Sequence, residues 1–267
     1  MANSISPQAS VGTNVKFGNN VEVGANAIVK DNVSIGSNTI IDNVIIDENT
    51  VIEQNCIVGY AHATGWVSRE TPDKELEFDN LIIGKEVLVR EGSTLYIGSQ
   101  IGDFVKIHHK TLIREKSIIG DYTSIGSMCD LEGHLTIGKH CSIHSNNHFC
   151  YDTKIGDYVF IAPFCVTTNG NPMRYKRPLL FEKHGIEKGP VIESGCQVAV
   201  NVVVLPEVTI GYECIVGASA VVTKSFDPLL IIMGIPAKKV GEVTEEHRLP
   251  LEIRNEIGLE TETNKTQ

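Results

Sequence analysis

The sequence predicts an all-β fold, a parallel β-helix of about ten coils built from a six-residue repeat. An aliphatic or aromatic residue recurs at every sixth position from Ile83 to Ile161, 14 times in succession. The same spacing runs from Val11 to Ile41 and from Ile192 to Val222. A period of six fits neither a helical stripe nor a heptad. It is three pleats of a strand plus a corner, so three hexads close one triangular coil of about 18 residues.

The repeat places a β-helix over residues 1–226 and leaves a C-terminal extension over 227–267 with helical potential around Glu245–Ile257. Two insertions interrupt the β-helix, at 60–80 and 169–190. Loops on a rigid solenoid are where binding is usually placed, although both could be merely tolerated insertions. The second insertion carries a basic patch for which phosphates are a natural target. The patch consists of Arg174, Lys176, Arg177, Lys183 and Lys188.

Two further positions of the hexad support this fold. Gly often follows the periodic residue, as at Gly12 and Gly36, where a chain turning a corner can use a backbone conformation that other residues find costly. A small side chain, such as Ala27 or Ser93, sits four residues after the periodic one. Most cysteines fall in this inward column, which indicates packing rather than catalysis. They are Cys56, Cys129, Cys141, Cys165, Cys196 and Cys214, and Cys150 lies outside it.

Composition narrows the class of partner. The chain has 267 residues and a formal net charge of -10, which argues against a general nucleic-acid or membrane-surface binder. Its N-terminus, MANSISPQASVGTNV, lacks a basic region followed by an apolar one. Seven cysteines without paired spacing indicate reduced thiols. We expect a cytoplasmic protein whose partner is a small molecule, with no nucleic acid and no membrane.

Three segments closely resemble the C-terminal half of hexapeptide acetyltransferases: VFIAPFCVTTNGNP, PVIESGCQVAVNVVVLPEVTIGYECIVGASAVVTKSF and MGIPAKKV. The repeat itself resembles this family over nearly all of residues 5–226. The resemblance implies a left-handed coil, which is an exception to the usual right-handed crossover rule. It also implies a homotrimer with sites between subunits and an acyl-coenzyme A lying along the coils.

The resemblance assigns the parts of the cofactor to particular residues. The pantetheine would contact backbone groups, and basic residues near the last coil would meet the phosphates of the nucleotide end. Each lysine among these basic residues could equally be a solvated surface residue. No metal is expected. Ala199, Gly217, Ala218 and Ser219 are the predicted pantetheine contacts, and Lys224, Lys238 and Lys239 the predicted nucleotide contacts.

Within the family, TNGNP after a VFIAP coil looks most like the N-acyltransferases of nucleotide-linked amino-deoxy sugars, such as a dTDP-amino-dideoxyglucose. O-acetyltransferases of a sugar or antibiotic hydroxyl are the alternative. Those enzymes carry a catalytic His before Pro, where this chain has Asn171, and sugar acyltransferases carry one before Asp, where it has Tyr151. An unprotonated amine attacks a thioester directly and needs less help than a hydroxyl. Both departures therefore favour an N-acyltransferase.

The remaining polar candidates lie between Asp130 and Asn171. Asn147 occupies the small inward column, so it is either a satisfied core amide or the support of an outward site residue. His148 is the candidate base or amine orienter, and His134, with Glu132 as its orienting carboxylate, is the second candidate. A structural role is the alternative for each.

These residues complete two predicted sets. The catalytic set contains His148, His134, Glu132 and Tyr151. The set that would hold sugar hydroxyls or phosphate contains Asn146, Asn147, Asp152, Asn169, Asn171, Arg174 and Arg177. The sequence leaves open the nucleotide, the sugar carbon that bears the amine, and the length of the acyl group.

Two more remote hypotheses come from other functional classes. The γ-type carbonic anhydrases share this fold and bind zinc through three His between subunits. His108 and His144 are 36 residues apart, two full coils, and His148 follows, but that family's last pair is spaced differently. A non-catalytic scaffold is the other hypothesis, because fold alone does not establish function.

Overall fold

The computed structural model describes residues 2–61, 79–170, 179 and 188–259. Its fold is a left-handed parallel β-helix with little helix. The chain divides into two compact units, Met1–Leu135 and Thr136–Gln267. Both predicted insertions fall largely outside the described residues.

Among its described residues, the first unit contains 19 short strands, which follow one another around the coil. They are β1 (Ser4–Ile5), β2 (Ser10–Val11), β3 (Lys16–Phe17), β4 (Glu22–Val23), β5 (Ala27–Val29), β6 (Ser34–Ile35), β7 (Ile40–Ile41), β8 (Val44–Ile46), β9 (Val51–Ile52), β10 (Ile57–Tyr60), β11 (Leu81–Ile83), β12 (Leu88–Val89), β13 (Thr94–Tyr96), β14 (Gln100–Ile101), β15 (Lys106–Ile107), β16 (Leu112–Ile113), β17 (Ile118–Ile119), β18 (Ser124–Ile125) and β19 (Asp130–Leu131).

The second unit contains 14 strands among its described residues, followed by two short helices. The strands are β20 (Thr136–Ile137), β21 (Ser142–Ile143), β22 (His148–Phe149), β23 (Lys154–Ile155), β24 (Phe160–Ile161), β25 (Val166–Thr167), β26 (Val191–Ile192), β27 (Gln197–Val198), β28 (Val203–Val204), β29 (Thr209–Ile210), β30 (Ile215–Val216), β31 (Val221–Val222), β32 (Leu230–Met233) and β33 (Lys238–Glu242). The helices are a 3-10 turn (Glu245–His247) and α1 (Leu251–Glu256).

Up to β31, every third strand belongs to the same sheet, so each unit has three faces and each face is a parallel sheet. In the first unit these begin with β1-β4-β7, β2-β5-β8 and β3-β6-β9, and in the second with β22-β25-β28, β20-β23-β26 and β21-β24-β27. We call them the first, second and third sheets. The first sheet has seven strands in the first unit and four in the second, which makes about 11 turns against the ten predicted.

The periodic residues form the core, as the repeat predicts. Ile107 pairs with Ile125 one coil further on, and both are fully buried. Because the coil repeats in register, each periodic side chain stacks on an equivalent one, which excludes water along the axis. All seven cysteines are buried and in no disulfide, including Cys150. Burial raises the pKa of the Cys196 thiol.

The glycines after the periodic residues have a different role from the one predicted. Gly12 and Gly36 have no left-handed φ. A Cβ on Gly36 would instead lie 2.4 Å from the backbone nitrogen of Gln54 in the next coil. The left-handed conformation falls two residues later, at Asn14 (φ 55°) and Asn38 (φ 57°), for example. Asparagine tolerates this region better than most residues, and here it also bonds to asparagines of neighbouring coils.

The C-terminal extension begins by continuing the β-helix. β32 pairs in parallel with β30 of the third sheet, beyond the predicted end of the coils at residue 226. β33 then turns back antiparallel to β32 and carries Lys238 and Lys239. The predicted helical tail is present as the 3-10 turn and α1. No helix among the described residues is long and apolar enough to span a membrane.

Candidate functional site

A cavity of about 740 Å³ lies in the second unit. It brings together all three lysines predicted to meet the nucleotide end of coenzyme A. Because they come from β33 and from the turn after β31, the antiparallel return of the chain is what assembles them. We call it the lysine groove. Its charged and aromatic lining consists of Lys224, Lys238, Lys239, Glu193, Asp227, Tyr212 and Phe226.

The three lysines differ in their partners. Lys239 Nζ lies 2.6 Å from Glu242 Oε1, and this hydrogen bond lowers the pKa of the Glu242 carboxyl. Lys224 Nζ lies over the Phe226 ring, 5.5 Å from its centroid, as in a cation–π contact. Among the residues that the structure describes, neither Lys224 nor Lys238 forms an ion pair. Both cations are exposed and therefore available to an anion.

The predicted pantetheine contacts lie outside the groove, at another corner of the coil. Ala199 and Gly217 follow β27 and β30, which are paired, so they are neighbours on the third sheet. Ala218 and Ser219 are exposed at the corner that follows. Ser219 has a left-handed φ of 57°, and its hydroxyl accepts a hydrogen bond from Asn201 Nδ2 at 3.2 Å.

A short path along the third sheet joins this corner to the groove. Gly217 lies against Met233, because a Cβ on Gly217 would be 2.7 Å from Met233 Cβ. Met233 in turn pairs with Lys238 across the antiparallel strands. One strand therefore separates the predicted pantetheine track from a predicted phosphate ligand.

The amide of Asn147 is a core bridge. Its side chain is buried, Nδ2 donates to the His144 carbonyl at 2.6 Å, and Oδ1 accepts from the Cys165 backbone N–H at 2.7 Å. This is the satisfied core amide of the two alternatives drawn from the sequence. The buried side chain, bonded to backbone groups through both amide atoms, holds the coil in place, and its role in substrate binding stays a prediction.

The neighbouring candidates lie on the outside of the same coil. His148 is half-buried at the start of β22, and its backbone N–H donates to the Cys165 carbonyl at 3.0 Å. Tyr151, Asp152 and Asn169 are also half-buried. Asp152 and Asn146 have left-handed φ values of 64° and 62°, so each occupies a corner of the coil.

Glu132 and His134 belong to the first unit, and both are half-buried. His134 occupies a corner with a φ of 52°, and its backbone N–H donates to the Glu115 carbonyl at 2.8 Å. Arg114, one coil before Glu132, makes a two-pronged ion pair with Glu115 at 2.7 and 3.1 Å. This largely buried pair was not predicted from the sequence.

Three residues predicted to bind the acceptor substrate lie outside the described residues, as does most of the basic patch. They are Asn171, Arg174 and Arg177. Of the histidines in the zinc hypothesis, His108 is in the first unit and His144 and His148 in the second. Burial lowers the pKa of His108, whose Nε2 is 3.3 Å from Ser124 Oγ. Within the described parts of the chain, no three His, Cys, Asp or Glu side chains gather as metal ligands would.

The groove lining includes three residues that were not predicted from the sequence: Glu193, Tyr212 and Phe226. Glu193 Oε2 accepts a hydrogen bond from the Tyr212 backbone N–H at 2.9 Å, which fixes one wall. Glu193 and Tyr212 meet through the register of adjacent coils, whereas Lys238 and Lys239 reach them only through the return of the C-terminal extension. The one available signal was Phe226 beside the predicted Lys224.

The chain is similar to several known proteins. The family described as "Bacterial transferase hexapeptide (six repeats)" matches residues 134–169. The chain is 24% identical over 160 residues to galactoside O-acetyltransferase of Escherichia coli (strain K12), covering 55% of this chain and 77% of that protein. A solved UDP-N-acetylglucosamine acyltransferase from Campylobacter jejuni is similar with a TM-score of 0.43 at 15% identity, covering 96% of this chain and 79% of that one.

A further relative shows to which family the chain belongs. The chain is 31% identical over 152 residues to the putative colanic acid biosynthesis acetyltransferase WcaF of Escherichia coli (strain K12). The match covers 55% of this chain and 71% of that protein. Together with the left-handed coil and its six-residue repeat, this shows that the chain belongs to the hexapeptide-repeat acyltransferases.

Proposed function

We propose that this protein is an N-acyltransferase that moves an acyl group from acyl-coenzyme A to the amine of a nucleotide-linked amino-deoxy sugar. The observation that carries the acyl-coenzyme A part is the lysine groove, in which Lys224, Lys238 and Lys239 meet. The choice of an amine as the acceptor rests on Asn171 and Tyr151, which stand where related O-acylating enzymes would carry a catalytic His.

The groove suits the nucleotide end of coenzyme A, including its 3′-phosphate. The groove gathers three lysines beside two carboxylates, Glu193 and Asp227. Lys239 is also paired with Glu242, so Lys224 and Lys238 are the cations best able to meet phosphate. Phosphate oxygens form strong charge-assisted hydrogen bonds with ammonium groups. The path from Lys238 through Met233 to Gly217 supports a pantetheine that continues along the third sheet past Ala199.

In the proposed reaction, the unprotonated amine attacks the thioester carbonyl and the coenzyme A thiolate leaves. Asn171 and Tyr151 stand where O-acylating relatives would carry His. The half-buried His148 would orient the amine or take its proton after the tetrahedral intermediate forms. Tyr151 would donate to the carbonyl oxygen as negative charge develops there. Asn147 acts one step removed, by fixing the carbonyl of His144 and the N–H of Cys165 on either side of the coil.

The acceptor would be held by groups around the same coils. Asn146, Asp152 and Asn169 are half-buried and polar, which suits sugar hydroxyls. Asn171, Arg174 and Arg177 of the second insertion would meet the phosphates of the nucleotide. His134 with Glu132 remains the second candidate for proton transfer.

The proposal includes the assembly and the compartment. A homotrimer with sites between subunits is typical of this family and would let residues of two protomers face one acyl-coenzyme A. Seven buried cysteines that form no disulfide suit a reducing compartment, which supports a cytoplasmic location.

O-acylation is the second candidate. One relative, at 24% identity, is named a galactoside O-acetyltransferase. This candidate requires a base for the hydroxyl in place of the histidines missing at positions 151 and 171.

Thiol release tests the proposal. The protein would be incubated with acetyl-coenzyme A, or a longer acyl-coenzyme A, and a panel of dTDP- and UDP-linked amino sugars, with free thiol followed by a chromogenic disulfide. The same nucleotide sugars with a hydroxyl in place of the amine serve as matched controls. We expect release with one amino sugar and not with its hydroxyl counterpart. Release with hydroxyl acceptors alone would overturn N-acylation in favour of the second candidate.

A further inference from the structure

A buried ion pair ties the C-terminal extension to the β-helix. Glu213, at the corner before β30, has a side chain that is only 1% exposed. Its Oε2 accepts from Arg248 Nη2 at 2.8 Å and from Arg248 Nε at 3.0 Å, and its Oε1 accepts from the Leu249 backbone N–H at 2.7 Å. We call these three residues the clamp. Three bonds to one buried carboxylate fix its position more firmly than a surface pair could.

The clamp is packed as well as bonded. A Cβ on Gly195, the corner residue one coil earlier, would lie 2.9 Å from Leu249 Cδ1. Gly195 also has a left-handed φ of 74°, so the corner beneath the clamp both favours glycine and leaves room for the leucine. The extension is therefore seated against two successive corners of the coil.

The clamp stands directly behind the lysine groove. Glu213 follows Tyr212, which lines the groove and whose carbonyl accepts from the Leu229 N–H at 3.0 Å. On the other side, the strand that carries Lys238 and Lys239 ends at Glu242, six residues before Arg248. The next residue, Val243, donates to the Leu229 carbonyl at 2.8 Å. Leu229 thus bonds to both the groove wall and the end of the lysine strand.

We propose that Glu213 is a positioning residue for the acyl donor, because it holds the extension so that the lysines of β33 face the wall formed by Tyr212. This inference rests on the proposed binding of acyl-coenzyme A in the lysine groove. It adds a residue that contacts no ligand and acts through Lys238 and Lys239.

Loss of the clamp should weaken contacts to phosphate selectively. A strand anchored only through β32 can shift its lysine side chains, whereas Ala199 and Gly217 are fixed by the coil itself. Phosphate recognition depends on the placement of the ammonium groups, and a displaced pair loses much of its charge-assisted bonding. A merely structural role for Glu213 would weaken all parts of the cofactor alike or none.

The test measures the dissociation constants of coenzyme A and 3′-dephospho-coenzyme A by calorimetry for the full-length protein and for Glu213→Gln. The glutamine keeps the shape of the side chain and loses its charge. We expect the dissociation constant of coenzyme A to rise about tenfold and that of 3′-dephospho-coenzyme A to change less than about twofold. Lys239→Gln should mimic this effect, and the double variant should lose little more than either single one, because both changes remove the same contact.

Two further variants keep the result interpretable. Glu256→Gln breaks the ion pair of α1 with Lys139, a second and exposed tether of the same extension, and should leave both dissociation constants unchanged. Circular dichroism shows whether Glu213→Gln is folded. If it is not, Arg248→Lys replaces it, because this variant keeps the charge and loses only the two-pronged geometry of the clamp.

The outcomes separate the two claims. A wild-type protein that binds neither ligand would overturn the proposed function. Wild-type binding with equal effects of Glu213→Gln on both ligands, or with no effect on either, would overturn the positioning role alone.

Discussion

His148 and Asn147 are neighbours in sequence, but their side chains have opposite surroundings. Asn147 is buried with both amide atoms bonded to backbone groups, and His148 is half-buried on the outer face of β22. Alternation along a strand explains the difference, because successive side chains point to opposite faces of the sheet. Asn147 therefore stabilises the coil, whereas His148 is placed where the proposed chemistry needs a side chain.

This division predicts different consequences of substitution. Asn147→Ala leaves the His144 carbonyl and the Cys165 N–H without side-chain partners and should cost about 1–3 kcal/mol of unfolding free energy. His148→Gln should leave stability nearly unchanged and lower kcat about 100-fold, as expected for loss of a general base. Urea denaturation and steady-state kinetics measure the two quantities. Large destabilisation by His148→Gln together with unchanged kcat would contradict the assignment.

The corner conformation also bears on individual site residues. His134, Asn146 and Asp152 all have φ between 52° and 64°. The left-handed φ fixes the backbone at each of these corners, so the Cα–Cβ bond of each residue leaves the coil in a defined direction. The asparagines of the first coils show that the same corner also serves structure alone, so position by itself does not identify a site residue.

At the scale of the elements, close approach between coils explains the glycines. The corner residue two positions later takes the left-handed conformation, and the glycine makes room for the backbone of the next coil. Glycine is thus required at these positions because it lacks a side chain, and not because of its φ.

Substitution of one such glycine tests this explanation. Gly36→Ala would place a Cβ within 2.4–2.8 Å of three backbone atoms of the next coil. We expect a loss of about 1–3 kcal/mol in unfolding free energy, typical of overpacking against atoms that cannot move. Gly241→Ala is the control, since its nearest contact is 3.6 Å. Equal stability of the two variants in urea denaturation would show that the next coil yields easily.

The strands could be predicted from the sequence because each depends on a local signal. Ile107 and Ile125 repeat at a spacing that fixes both their strand and their partner. The lysine groove could be foreseen only in part, since Lys238 was predicted but Tyr212 and Glu193 were not. Glu193 and Tyr212 face each other across adjacent coils, but Lys238 reaches them only through the antiparallel return of β33, which has no periodic signature.

At the scale of the whole molecule, the lysines of the groove belong to an acidic protein. The formal net charge is -10, and the groove itself combines three lysines with two carboxylates. The long-range field therefore does not attract an anionic cofactor, and binding depends on short-range contacts within the groove. This makes the placement of each lysine matter more than the number of lysines in the chain.

In the proposed reaction, the new bond between the acyl group and the sugar is an amide. The product made from acyl-coenzyme A and the active amino sugar would be isolated, treated with neutral hydroxylamine and examined by mass spectrometry. Esters release their acyl group to hydroxylamine under conditions in which amides persist. Retention of the acyl group on the sugar is the predicted result. Its loss as the hydroxamate would show that a hydroxyl is acylated, and would contradict the account.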